Sequence, residues 1–351
     1  MKVRVGIVGV SGYTGEELLR VLSKHPGVVI TYLGTRNESL KSNLHAVYPD
    51  IDLPSDVTVE TFDAATAAKK VDVIFLALPH AVAFEVVPGL IKNNVKVIDL
   101  SADYRLDDPV IYEKWYGHKH TALELLKQKV YGLPELYREK IRVAKLIANP
   151  GCYPTSVLLG AAAVLKNKVV RTDGIVVDSK SGISGGGRKF VAEYNAMNTA
   201  VTRAYQVGGV HRHLPEIEQE LCHLSNLAAG KVKVTFTPHI VPQLRGMVSV
   251  LYFDLAKELT TENVLGVLAE FYENEPFIKI ATPPIVPDTK DVVNTNNCAI
   301  TARVDNHTGK LVVVSVIDNL GKGACTQAVQ NMNIMFNLEE TTGLSSCTVR
   351  K

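Results

Sequence analysis

The chain has 351 residues, 46% of them hydrophobic and 21% charged, with a formal net charge of +2. That length suits two domains or one large one, and so small a charge gives no electrostatic case for binding nucleic acid or a membrane surface. The longest apolar runs, such as Val71 to Leu78 and Ser156 to Leu165, are too short to cross a bilayer.

Met1 to Gly9 lacks the apolar core and cleavage site of a secretory signal and reads as a first strand, Val3 to Val8. A helical run from Glu16 to Lys24 and a second strand from Val28 to Leu33 follow. Val71 to Leu78 and Val95 to Leu100 are further buried strands, with helical spacing between them from Phe84 to Ile91. Such alternation predicts a doubly wound, Rossmann-like parallel sheet. Beyond Cys152 the pattern changes. Gly174 to Asp178, Lys231 to Thr237, Met247 to Asp254, Ala299 to Val304 and Leu311 to Ile317 read as strands, the last after a hairpin loop at 305–310. Polar and apolar residues alternate from Lys231 to Phe236, which suits an antiparallel sheet with one open face. Helices at Pro215 to Leu227 and Glu262 to Tyr272 would cover the other face, and the helical pattern Gly323 to Leu338 would return to the first domain. The expectation is an α/β chain: a dinucleotide-binding domain formed by 1–150 with 319–351, and an α+β domain at 151–318, mainly antiparallel, for catalysis and oligomer contacts.

Gly9-Val10-Ser11-Gly12-Tyr13-Thr14-Gly15 lies between the first strand and the first helix. Glycines there permit a tight turn and let backbone N–H groups approach a pyrophosphate at the helix start. Gly9, Ser11, Gly12, Tyr13, Thr14 and Gly15 are therefore candidate cofactor contacts, although the G-x-x-G-x-x-G spacing also suits a plain strand-to-helix turn. Arg36 follows the second strand, where an arginine suits the 2′-phosphate of NADP and an acid would suit NAD. A solvated loop charge is the competing reading. Pro79, in Ala77-Leu78-Pro79-His80, follows another strand where the chain would pass the cofactor.

The heptapeptide Asn149-Pro150-Gly151-Cys152-Tyr153-Pro154-Thr155 sets one cysteine between two prolines and before an apolar helical run. A thiol at a helix start meets unpaired N–H groups and a dipole that favour its anion. Cys152 is thus a candidate nucleophile; the same residues also suit a small buried side chain in a tight turn. The five cysteines, at 152, 222, 298, 325 and 347, contain no Cys-x-x-Cys pair, so neither a zinc site nor a disulfide framework is expected. Free thiols without an export signal point to a reducing, cytoplasmic setting.

Several further segments carry a resemblance. They are Asp99 to Arg105, Tyr131 to Glu135, Ser181 to Arg188, Gly209 to Gln219, Pro242 to Gly246 and Asp318 to Ala324, together with the glycine loop and the cysteine heptapeptide. In this order they span nearly the whole chain, which resembles the N-acetyl-γ-glutamyl-phosphate reductases, relatives of aspartate-semialdehyde dehydrogenase. Cys325-Thr326 departs from the Ser-Gly that related sequences tend to carry.

The resemblance implies NADPH-dependent reduction of an acyl phosphate to an aldehyde and inorganic phosphate, through a thioester on Cys152. It points to His211 as the acid/base, with His213 as a second histidine. It makes Arg105, Arg188 and Arg245 candidates for the substrate's phosphate and carboxylate, since a guanidinium pairs with either. Ser101, Tyr205 and Glu216 are weaker candidates for substrate positioning, and Ser181, Gly182, Gly185 and Asn319 for cofactor contact. It also implies a homo-oligomer, dimer or tetramer, and no metal. Three alternatives stay open: a lysine-pathway substrate one methylene longer, aspartyl phosphate as substrate, and a nucleotide-binding relative without chemistry.

Overall fold

A computed structural model of the chain describes residues 2–35, 48–51 and 57–344. Arg36 lies outside the described residues. The chain divides into two compact units.

The first unit comprises Met1–Pro150 and Ala324–Leu344. Its strands are β1 (Val3–Val8), β2 (Val28–Thr35), β3 (Val59–Thr61), β4 (Val73–Leu76), β5 (Lys96–Asp99), β6 (Val130–Tyr131) and β7 (Leu146–Ala148). They form one sheet in the order β3-β2-β1-β4-β5-β7-β6, with every pairing parallel. Strand order reverses between β1 and β4, the place where doubly wound sheets open a crevice at their carboxyl ends. Val5, Ile7 and all of β4 are buried, as strands covered on both faces must be.

The helices are α1 (Tyr13–Ser23), α2 (Ala64–Lys70), α3 (Ala83–Lys92), α4 (Pro109–Tyr116), α5 (Leu123–Gln128), α6 (Pro134–Val143) and, after the chain returns, α11 (Thr326–Met335). Every residue of α11 is buried, and Ala328, Val329 and Met332 join the apolar cluster of Val5, Ile7, Leu18 and Leu22. The unit resumes at Ala324, five residues later than the sequence boundary at 319. A π-turn at Gly321–Cys325 precedes α11 and takes up residues that the sequence pattern assigned to the helix.

The sequence reading passed over β3, α2 and the short elements between Asp99 and Asn149. They are too brief to show a period, but local chemistry marks one of them. Asp108 accepts from the Val110 N–H at 2.8 Å and precedes Pro109 in the first helical turn, a start signal for α4.

The second unit comprises Gly151–Gly323. Its strands are β8 (Ile175–Gly182), β9 (Arg203–Ala204), β10 (Val234–Val241), β11 (Met247–Asp254), β12 (Ile278–Ile280), β13 (Cys298–Asp305) and β14 (Lys310–Ile317). The order is β12-β13-β14-β11-β8-β10-β9. The sheet is mixed: β10 with β8 and β12 with β13 are parallel, and the other pairs are antiparallel. The expected hairpin loop joins β13 to β14.

The strand expected at Lys231 to Thr237 begins at Val234 and runs through Pro238 to Val241. Proline is a poor interior strand residue, but β9 pairs with β10 only at His239 and Ile240. The helices are α7 (Cys152–Lys166), α8 (Gly187–Ala196), α9 (Leu214–Leu224) and α10 (Thr261–Phe271). Residues Tyr153 to Leu165 of α7 are all buried, so this helix is hydrophobic all round and forms the centre of the unit. It packs on α9, α10, β11 and β14. The glycine-rich run before Arg188 is a 3-10 turn, Ile183–Gly186, leading directly into α8.

Candidate active site

Cys152 is the first residue of α7 and is half-buried with its thiol free of any disulfide. Gly151 caps the helix in an extended conformation without a side chain to bond the first turn. Pro154 falls within that turn, where its missing N–H costs no intrahelical bond. The Gly151 N–H donates to Glu216 Oε1 at 2.9 Å, which ties the start of α7 to the first turn of α9. Glu216 is buried. It therefore holds the backbone next to Cys152. Gly323 closes the other side: a Cβ there would lie 2.9 Å from Cys152 Cβ.

A cluster of rings surrounds Tyr153, the residue after Cys152. His211 is buried, and its ring lies 5.3 Å from Tyr153, 5.4 Å from Tyr205, 5.0 Å from His213 and 5.4 Å from Phe236. Its Nδ1 accepts from the His213 N–H at 3.1 Å, and its Nε2 lies 3.2 Å from Tyr205 Oη. Burial, and then the charge of Arg212, lower its pKa to about 4, so the imidazole is neutral near pH 7. His213 is half-buried at the start of α9, and its ring lies 5.9 Å from Tyr153. The structure thus brings together His211, His213, Tyr205 and Tyr153, the residue after Cys152, and ties Glu216 to Gly151, the residue before it. Both ring nitrogens of His211 have hydrogen-bond partners, Tyr205 Oη and the His213 N–H.

The three arginines have different settings. Arg105 is buried, donating to the Asn149 carbonyl at 2.8 Å and the Leu100 carbonyl at 2.7 Å, and so pins the turn before Pro150. Arg245 pairs with Asp318 through Nε at 3.0 Å and Nη2 at 2.9 Å, so a buried carboxylate already compensates its charge. Arg188 is exposed at the start of α8.

Ser101 is occupied internally: its hydroxyl donates to Asp99 and accepts from the Asp103 N–H. Asn319 likewise accepts from the Gly246 N–H at 2.8 Å and donates to Ser184 Oγ at 2.8 Å. Ser181 is buried and donates to the Gly182 carbonyl. Gly182 packs against the backbone of Leu244, whereas Gly185 is exposed.

In the first unit the glycine loop runs from the end of β1 into α1. Gly9 has φ +93°, and a Cβ on it would fall 2.2 Å from the Ala77 carbonyl oxygen; one on Gly15 would fall 2.2 Å from the Gly9 carbonyl oxygen. Gly12 caps α1 in an extended conformation, and the nearest atom to a Cβ there is 3.8 Å away. This open cradle at a helix start, with half-buried Ser11, Tyr13 and Thr14 beside it, fits a dinucleotide pyrophosphate. The Cys325 thiol is buried and donates to the Thr14 carbonyl at 3.3 Å, so the departure at Cys325-Thr326 falls on an internal contact.

Exposed Pro79 follows β4, and the adjoining 81–83 backbone is held by buried Asp103, which accepts from the N–H groups of Ala81, Val82 and Ala83. Among the described residues no cluster of side chains could hold a metal ion, and no helix is long and apolar enough to cross a membrane. Sequence reasoning missed Tyr153, Phe236, His239 and Gly323 as neighbours of the site. Only Tyr153 had a local signal, its adjacency to Cys152.

Comparison with known proteins gives a consistent result. The family model "Semialdehyde dehydrogenase, NAD binding domain" matches residues 4–144, and "Semialdehyde dehydrogenase, dimerisation domain" matches residues 152–319. A Geobacter metallireducens protein named N-acetyl-gamma-glutamyl-phosphate reductase is 49% identical, covering 97% of this chain and 98% of its own. A Symbiobacterium thermophilum protein of the same name is 46% identical, covering 98% of each. Among solved structures, aspartate semialdehyde dehydrogenase II of Vibrio cholerae matches with TM-score 0.73 at 18% identity, covering 96% of this chain and 99% of that one. The Candida albicans enzyme, solved with NADP, matches with TM-score 0.70 at 16% identity over the same shares. Both share the fold.

Proposed function

The chain belongs to the N-acetyl-γ-glutamyl-phosphate reductases of the semialdehyde dehydrogenase family, and on that premise we propose how its residues reduce N-acetyl-γ-glutamyl phosphate to the semialdehyde. The chain is an NADP-dependent oxidoreductase. The observation that carries the reading is the placement of Cys152 at the first position of a buried helix, next in sequence to Tyr153, whose ring meets both imidazoles.

The Cys152 thiol loses its proton to the imidazole pair, and the helix start favours the resulting anion. The thiolate attacks the acyl carbon, the bond from that carbon to the phosphate oxygen breaks, and phosphate leaves with the electron pair. A thioester on Cys152 remains. The N–H groups at the start of α7 steady the oxygen that becomes negative during attack. The loop from Gly9 to Gly15 would hold NADPH, which would supply the hydride that reduces the thioester carbon. The thiolate then departs from that carbon and leaves the aldehyde. Splitting one hard substitution into two steps is what the covalent nucleophile contributes.

Arg188, exposed at the start of α8, is the first arginine to test for the substrate's anionic groups. The second unit carries the dimerisation domain, and the working form is a homo-oligomer built through it. The reaction belongs in a reducing compartment, where Cys152 stays a thiol.

The deciding assay runs in reverse: N-acetyl-glutamate semialdehyde, inorganic phosphate and either NADP or NAD, followed by absorbance. Phosphate-dependent reduction that prefers NADP is expected. Reduction that ignores phosphate, or that is faster with the aminoadipyl or aspartyl semialdehyde, would overturn the assignment.

A further inference from the structure

Four groups of the second unit form an unbroken hydrogen-bond chain. Tyr153 Oη donates to the His239 carbonyl at 3.2 Å, Tyr205 Oη lies 3.2 Å from Tyr153 Oη, and His211 Nε2 lies 3.2 Å from Tyr205 Oη. A carbonyl only accepts, and a tyrosine hydroxyl has a single hydrogen. Tyr153 therefore commits its hydrogen to His239, and Tyr205 must donate to Tyr153. The last bond then forms only if His211 Nε2 carries a hydrogen. The opposite ring nitrogen leads to the same state: Nδ1 accepts from the His213 N–H at 3.1 Å and so carries none. Two ends of the chain demand one neutral tautomer.

From this geometry we propose that Tyr205 and Tyr153 are positioning residues that hold His211 as its neutral Nε2–H tautomer, leaving proton exchange at the site to His213. The inference rests on the reading above, in which the imidazole pair serves Cys152. The frame around the chain is firm. The Tyr205 N–H donates to the Pro238 carbonyl at 3.1 Å, next to the His239 carbonyl that ends the chain. Tyr153 and Phe236 wall the ring.

The charged and titratable groups nearby favour the same state. Arg212 disfavours a second positive charge on His211, and burial acts more strongly in that direction. Burial is the main cause that keeps both hydroxyls protonated, pushing Tyr205 up to about 12 and Tyr153 further, and a negative Cys152 adds to it. A neutral His211 tethered at Nδ1 fixes the backbone of His213 where α9 begins, and so aims the second imidazole.

The test is nitrogen NMR on protein labelled with 15N-histidine, with the His211 signals assigned by their loss in His211→Gln. The wild type is expected to show a protonated Nε2 and an unprotonated Nδ1 that do not titrate between about pH 5 and 8. An Nδ1–H tautomer, or titration within that range, would overturn the proposal.

Tyr205→Phe removes the acceptor. It is expected to lose the exchange-protected Nε2 proton and to lower kcat roughly 10- to 100-fold with little change in KM for the acyl phosphate. Tyr153→Phe cuts the next link without touching His211, guards against a folding defect in the first variant, and is expected to give a smaller loss of the same kind. Unchanged exchange protection in both variants sinks the chain. If Cys152→Ser is inactive in that case, the thioester reading survives and only the tautomer lock fails; an active Cys152→Ser removes the thioester reading instead.

Discussion

The two units each present a helix start to an anion, and they do it differently. α1 and α7 both follow a parallel strand of the first sheet and both begin at a glycine in extended conformation, Gly12 and Gly151, with no side-chain cap. Around α1 the constraint is backbone against backbone: Gly9 and Gly15 leave no room for a Cβ, while the outer side of Gly12 is open. Around α7 the constraint comes from other elements: the Glu216 side chain holds Gly151, the backbone at Gly323 leaves no room for a Cβ against Cys152, and Tyr153 to Leu165 are all buried. An open cradle suits a ligand that comes and goes. A closed one suits a reactive atom that must stay within a fraction of an ångström of its partners. The helix dipole is common to both; packing decides which use it serves.

The comparison can be broken most severely at the thiol. Cys152→Ser is expected to lower kcat by about 10³-fold or more while NADPH binding, read by fluorescence titration, stays as in the wild type. A fast serine variant would end the distinction between the two helix starts. Gly15→Ala attacks the other start. The added methyl meets the Gly9 carbonyl oxygen, and strain of about 1–3 kcal/mol is expected to weaken NADPH binding roughly 10- to 100-fold. Alkylation of Cys152 by iodoacetamide should be unaffected in that variant. Gly323→Ala is the converse: alkylation and kcat fall, roughly 10-fold or more, with NADPH binding retained.

The buried titrating groups of the two units sharpen the contrast through pH. His211 has a folded pKa of about 4 against an ordinary 6.5, so the unfolded chain binds the extra proton between those values. Stability is therefore full above about pH 6.5 and is lost as pH falls toward 4, by up to about 3 kcal/mol. Asp99, in the first unit, is pushed up to about 7, by burial first and then by the charge of Asp103. Its contribution has the opposite sign: present below its ordinary value near 4 and lost as pH rises through 7. Denaturant unfolding across pH should show each slope vanish in His211→Asn and Asp99→Asn respectively; a variant with the wild-type slope refutes that assignment. A further effect on stability alone is expected from Glu216→Ala. It strands the buried Gly151 N–H and should cost about 1–3 kcal/mol of stability, read as a lower melting temperature.

The features legible in the sequence were those with local punctuation. Pro150-Gly151 before an apolar run announces the start of α7, and Gly9 to Gly15 after a valine-rich strand announces the start of α1. What escaped depends on residues distant along the chain. The pairing of Arg245 with Asp318, 73 residues on, has no signal in the sequence. Ser101 and Asn319 also have internal partners, Asp99 and Ser184, that only the folded chain shows, because short polar side chains in loops serve binding and internal bonding alike. The chain from His211 to His239 gathers residues from α7, β10 and the segments between, and no spacing in the sequence encodes it.

The late return of the chain has a consequence for biosynthesis. The first unit's apolar interior includes Ala328, Val329 and Met332, and buried Asn331 donates to the Gly132 carbonyl. A ribosome must therefore finish nearly the whole polypeptide before the nucleotide-binding half can close its interior, although that half begins the message. Truncation near residue 323 would harm the half encoded first more than the half encoded last.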